Sequence, residues 1–121
     1  MTSKLDISAL QELLRRFAAE RDWEQFHSPK NIVMALSVEA AELLEIFQWL
    51  TEAQSVELDA PTRVAVAEEI ADVQIYLVRL ADRLNIDIPQ AVDEKLLHNA
   101  SKYPADQVRG SAAKRSNQDD R

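Results

Sequence analysis

"LSVEAAELLEIFQWL", residues 36–50, decides the fold, because its apolar residues keep a helical period while two of its acids sit among them. Val33, Leu36, Ala40, Leu43, Phe47 and Leu50 recur at alternating steps of three and four, the spacing of a packing seam. A second stripe reads Ile32, Ala35, Glu39, Glu42, Ile46, Trp49 and is apolar apart from its two carboxylates. A carboxylate on such a face is costly to bury unless something positive sits beside it. Ser28 and Pro29 form a good N-cap and first-turn pair, so this helix is predicted from Pro29 to about Thr51.

Working outward, Leu10, Leu13, Leu14 and Phe17 share one face of a helix predicted from Asp6 to Arg21, with Asp6 as its cap. A short polar connection with room for one helical turn leads to "LDAPTR", where Asp59 caps a third helix over Ala60–Leu84. Its seam is Val66, Ile70, Val73, Leu77, Leu80 and Leu84. "NIDIP" breaks the pattern, and Asp87 with Pro89 starts a fourth helix ending near Ser101. From Pro104 onward the chain is polar, small and without period, so 105–121 is read as a disordered tail to a single domain over 1–104. Four helices with short connections predict an all-α four-helix bundle. The apolar surface of the second and third helices is wider than one seam, which predicts a homo-oligomer, a homodimer or a homotetramer.

Composition agrees. The chain has 121 residues, enough for one domain, with 46% hydrophobic residues and only one Gly and four Pro, a balance that favours long helices over a turn-rich β fold. Without cysteine it can form neither disulfides nor a thiolate metal site, which fits a reducing compartment. The N-terminus lacks a signal pattern, and three Glu interrupt the longest apolar run, so a soluble, cytoplasmic protein with no membrane partner is expected. A net charge of −7 repels phosphate backbones and argues against a nucleic-acid partner.

The third helix repeats the acidic pattern in the row Ala65, Glu69, Asp72, Tyr76. Residues three apart share a helical face, so each helix offers an acidic pair among apolar neighbours. One such pair is ordinarily solvated; two on adjacent helices converge as four carboxylates, which repel unless cations neutralise them. An all-oxygen set suits Mg²⁺, with Mn²⁺ as a substitute. Glu45 and Glu68 border the same faces and are candidate general bases, supports for the ligands, or plain surface residues. A di-iron bundle would need Glu-x-x-His, but Lys95 stands three residues before His98, and His27 lies in a loop. Lys95, Asn99 and Lys102 share a face of the fourth helix with Tyr103 at its end, a set able to hold phosphate oxygens and a ribose, or an ordinary solvated face. Trp23, Phe26 and His27 in a loop either plug the end of the bundle or hold a nucleobase.

"RDWEQFHSPKN", "EAAELLEIFQW", "EEIADVQIYLVRLA" and "KLLHNASKYP", in this order and spacing over about residues 5–104, resemble the all-α nucleoside triphosphate pyrophosphohydrolases, the MazG-like superfamily, and most nearly its dCTP pyrophosphatase branch. The resemblance implies hydrolysis of the α–β phosphoanhydride of a nucleotide to the monophosphate and pyrophosphate, with dCTP or a modified dCTP as substrate and nucleotide-pool cleansing as the role. It implies Mg²⁺ ligands at Glu39, Glu42, Glu69 and Asp72. Trp23, Glu24, Gln25, Phe26 and His27 match the loop that holds base and sugar, Trp49 a base-contacting aromatic, and Tyr76 a substrate-side tyrosine. Lys95, Asn99 and Tyr103 match a helix that completes the pocket, often from a neighbouring subunit. Leu14 departs from the pattern, standing where close relatives can present a polar substrate contact, and it leaves the base less defined than the reaction. Two alternatives are a broad or dUTP-like nucleotide specificity and a non-enzymatic helical interaction module.

Overall fold

The computed structural model describes residues 5–115, and these contain helices and no strand. The order is α1 (Ile7–Glu20), a 3-10 turn (Glu24–Phe26), α2 (Pro29–Phe47), α3 (Glu52–Val56), α4 (Ala60–Arg83), α5 (Ile88–Lys102) and α6 (Ala105–Val108). The all-α class is as the periodicity predicts, and the four long helices are α1, α2, α4 and α5.

The helix starts are set by side chains that accept from otherwise unpaired amides of the first turn. Asp6 accepts from the amide of Ala9, Ser28 from Asn31, Asp59 from Thr62 and Asp87 from Gln90. Proline stands in the first turn of α2, α4 and α5, where no amide is needed. Donors from Thr62 hold the Asp59 carboxyl below its ordinary range. The predicted run of α2 to Thr51 is corrected by the structure. The helix stops at Phe47, and Thr51 instead caps α3 through a capping box in which it and Gln54 bond each other's backbone.

The chain divides into two compact units at Ile86/Asp87. In the first, α2 and α4 share the most extensive contact, and α1 also packs on α4. Ala18 of α1, Ile32 of α2 and Val78 and Ala81 of α4 are the buried apolar residues. The predicted α4 seam divides. Val66, Val73 and Leu80 are half-buried, whereas Ile70, Leu77 and Leu84, seven residues apart, are exposed. A stripe can face only one neighbour, and among the described residues none buries these three. On α2, Met34 and Val38 are an exposed apolar pair on one face, and Leu44 is exposed about 120° around the helix from Val38.

The second unit holds α5 and α6. The stretch read from the sequence as a tail begins with the helical turn of α6, and Arg115 folds back beyond it. Its amide donates to Tyr103 Oη at 3.0 Å, and its guanidinium donates to the carbonyl oxygen of Lys102 at 3.0 Å. These bonds satisfy acceptors at the end of α5, which composition alone does not reveal. Residues 116–121 of that stretch lie outside the described residues.

Candidate functional site

Glu39 of α2 and Glu69 and Asp72 of α4 meet where these two helices pack. One carboxylate oxygen from each lies within 4.8 Å of the other two, and all three residues are half-buried. The Oε2 atoms of Glu39 and Glu69 are shielded from solvent and meet no hydrogen-bond donor. The adjoining Glu69 carboxyl pushes Glu39 above the usual carboxylate range, because two anions so close favour a retained proton, and burial adds to the effect. Glu42, exposed one turn further along α2, is also raised, first by Glu39 and with a smaller contribution from Glu45. Two shielded oxygens without donors, inside a cluster of anions, make a donor set for a divalent cation.

Asp72 also lines a cavity of about 320 Å³ enclosed by Leu14, Phe17, Trp23, His27, Ile75, Tyr76 and Arg79. Its walls are mostly apolar, with a few polar groups converging on one side, the usual make-up of a small-molecule site. The Trp23 ring meets Phe17 edge-on at 5.7 Å between centroids and His27 at 6.4 Å. Asp22, with φ of 54°, turns the chain out of α1 into this loop, and Gln25 bonds the Asp22 carbonyl oxygen and carboxylate.

Two arginines near the end of α4 hold His27. Arg79 Nε donates to His27 Nδ1 at 3.3 Å, and Arg83 Nε donates to the His27 carbonyl oxygen at 3.1 Å. Burial, then the charges of Arg79 and Arg83, lower the pKa of His27 and keep the ring neutral. Arg79 is 4% exposed; its Nη1 reaches Asp82 at 3.4 Å, and its Nη2 is buried without a partner. Asp82 also accepts from Arg15 Nε at 2.8 Å, which ties α1 to α4.

The predicted residues are therefore distributed unevenly. Glu39, Glu69 and Asp72 form the cluster with Glu42 at its exposed edge, and Trp23, His27 and Tyr76 line the cavity beside it. Glu24 lines an adjoining polar cleft with Arg15, Arg79, Asp82 and Arg83, Gln25 bonds within its own loop, and Phe26 is exposed. Trp49 is 86% exposed beyond the end of α2, and Glu45 and Glu68 face solvent. Lys95 and Asn99 on α5, with Tyr103 after it, belong to the second unit; Lys95 is exposed and the other two are half-buried. Sequence reading missed Arg79 and the wall residues Phe17 and Ile75. The signal for Arg79 was present, since it follows Asp72 and Tyr76 at i+7 and i+3 on one face of α4.

No helix among the described residues is long and apolar enough to cross a membrane. Residues 34–117 match the model of the MazG-like family. The dCTP pyrophosphatase 1 of Mus musculus is 48% identical over 107 residues, which span 87% of this chain and 63% of that protein. The Bos taurus protein of the same name is 44% identical over 115 residues, 93% of this chain and 68% of its own length. The chain thus spans about two thirds of the length of the curated relatives it matches. The crystal structure of a pyrophosphatase from Archaeoglobus fulgidus superposes with a TM-score of 0.77 at 40% identity, covering 86% of this chain and 97% of that one. With its acidic cluster on two packed helices beside an aromatic cavity, this chain belongs to the MazG-like family.

Proposed function

We propose that the protein hydrolyses the α–β phosphoanhydride of deoxynucleoside triphosphates, with dCTP or a modified dCTP as the preferred substrate, releasing the monophosphate and pyrophosphate. The observation that carries this reading is the pair of shielded, donorless oxygens of Glu39 and Glu69 in a cluster whose third member, Asp72, also lines an aromatic cavity. The dCTP pyrophosphatase relatives support the substrate, and the pyrophosphatase neighbour supports the bond cleaved.

Glu39, Glu69 and Asp72 would hold Mg²⁺, with Glu42 completing the set from the exposed edge. The bound ion would neutralise charge on the triphosphate and acidify the attacking water. The chain's own residues place the substrate. Trp23 offers an aromatic surface to the base, Leu14 and Ile75 close the cavity with apolar walls, and Tyr76 adds a hydroxyl on the same face as Asp72. Glu45 and Glu68, which border the cluster on α2 and α4, are the candidate acceptors for the water's proton. The roles of Lys95, Asn99 and Tyr103 toward phosphate and sugar, and that of Trp49 toward the base, rest on the resemblance. Self-association would cover the exposed apolar residues of α2 and α4.

Incubation with Mg²⁺ and each deoxynucleoside triphosphate in turn, followed by ion-exchange chromatography, tests the reading. Equal amounts of dCMP and pyrophosphate, with little product from the others, are expected. Comparable products from every nucleotide would replace the dCTP preference with broad specificity, a reading favoured by the apolar Leu14 wall. No turnover together with indifference of thermal stability to Mg²⁺ would overturn the enzyme in favour of a helical interaction module.

A further inference from the structure

Outside the acidic cluster, the least expected polar group in the molecule is the guanidinium of Arg79. It is buried near Asp82, Arg83 and Glu24, yet it is ion-paired only through Nη1 at 3.4 Å, and its Nη2 has no acceptor. Burying a guanidinium so incompletely satisfied is costly, and a Leu or Met of similar length would fill the space. What Arg79 does that those residues cannot is donate Nε–H to His27 Nδ1.

An arginine in a protein carries no lone pair to offer, so it can only donate. The Nδ1 atom that receives this bond must be unprotonated, and in a neutral imidazole the proton then sits on Nε2. Among the described residues no protein acceptor meets Nε2–H, and His27 lines the cavity. We propose that Arg79 is a positioning residue that fixes the tautomer of His27, so that Nε2–H donates to an acceptor on the nucleobase and rejects a base edge that presents N–H there. This rests on the nucleotide-hydrolysing reading above and specifies how that site selects its base.

The selectivity follows from donor and acceptor counts. Arg79 and His27 together present only donors from their side of the cavity. The ring nitrogen N3 of cytosine is an acceptor, whereas uracil and thymine carry N–H at that position. A donor facing a donor leaves two buried groups unpaired, which costs more than the loss of one hydrogen bond. Leu14 and the apolar wall can sense only shape, so hydrogen-bond discrimination falls to the polar groups lining the cavity, of which His27 is the one whose donor Arg79 fixes. Arg83, bonded to the His27 carbonyl oxygen, holds the loop while leaving the ring to Arg79.

The test combines a spectroscopic and a kinetic readout. The chain has two histidines, so ¹⁵N imidazole spectra are assigned with a His98→Gln variant. Wild-type His27 is expected to show an unprotonated Nδ1 and a protonated Nε2. The Arg79→Met variant is expected to show mixed tautomers and a preference for dCTP over dUTP, as the ratio of kcat/KM values, reduced about tenfold; Arg79→Lys, which keeps a donor, retains part of it. A proton on Nδ1 in the wild type overturns the proposal, as does an unchanged dCTP to dUTP ratio once the tautomers have mixed. If Arg79→Met does not fold, the wild-type spectrum and Arg79→Lys decide. Absence of pyrophosphate release from dCTP by the wild type would instead sink the parent reading, since the tautomer spectrum needs no turnover.

Discussion

Glu39 shows how one side chain serves two opposing demands. Its shielded Oε2 and raised pKa mean that, in the absence of cation, the folded chain resists its ionisation. A carboxyl whose folded pKa is raised stabilises the fold relatively below its unfolded value of about 4.5 and loses that advantage as pH rises through the raised folded value. In a chelator, thermal stability should therefore fall as pH climbs upward from about 4.5 on account of Glu39 and Glu42, and Mg²⁺ should recover more stability at pH 7.5 than at pH 5. Differential scanning fluorimetry at the two pH values checks this; equal Mg²⁺ shifts at both would remove the cluster as the binding site. Glu39→Gln should raise the melting temperature in chelator, abolish the Mg²⁺-induced rise, and lower turnover of dCTP by about 100-fold. His27 titrates in the opposite sense: its lowered pKa means that stability is present above about 6.5 and is lost as pH falls below it.

Helix starts are where the sequence was easiest to read, because a cap is a local event. Asp6, Ser28, Asp59 and Asp87 each bond an amide three residues away, and nothing distant can change that. The acidic cluster was legible for a related reason: i and i+3 on two apolar helices fix the faces once the helices pair. Arg79 was legible only as a residue on the face of Asp72 and Tyr76; its bond to His27, 52 residues earlier in the chain, was not. The α2 end was misread because Thr51 looks equally apt as a last helical residue and as the cap of α3, and only the reciprocal bond with Gln54 decides. Thr51→Ala should accordingly cost about 1 kcal/mol of unfolding free energy in urea, as loss of an N-cap does. The exposed pair Met34 and Val38, four apart, belongs to one face of α2 rather than to any one residue. Replacing Met34 and Val38 together by Lys should convert an oligomer to monomer in light scattering; unchanged mass would show that this face is not the interface.

Within the first unit, α4 carries both ends of the proposed chemistry, the carboxylates of Glu69 and Asp72 and the arginines that hold His27. Asp72 and Arg79 are seven residues apart, two turns, and so about 10.5 Å along the axis on nearly one face. A continuous helix is stiff over that length, and α4 runs unbroken from Ala60 to Arg83. On the proposed reading the helix would act as a ruler with one mark at the phosphates and the other at the base, measuring the length of a nucleotide rather than merely enclosing it. Inserting a single alanine between Tyr76 and Arg79 would lengthen the ruler by about 1.5 Å but turn its second mark by about 100°. Cation binding, read at the first mark, would survive, while the choice among bases would be lost.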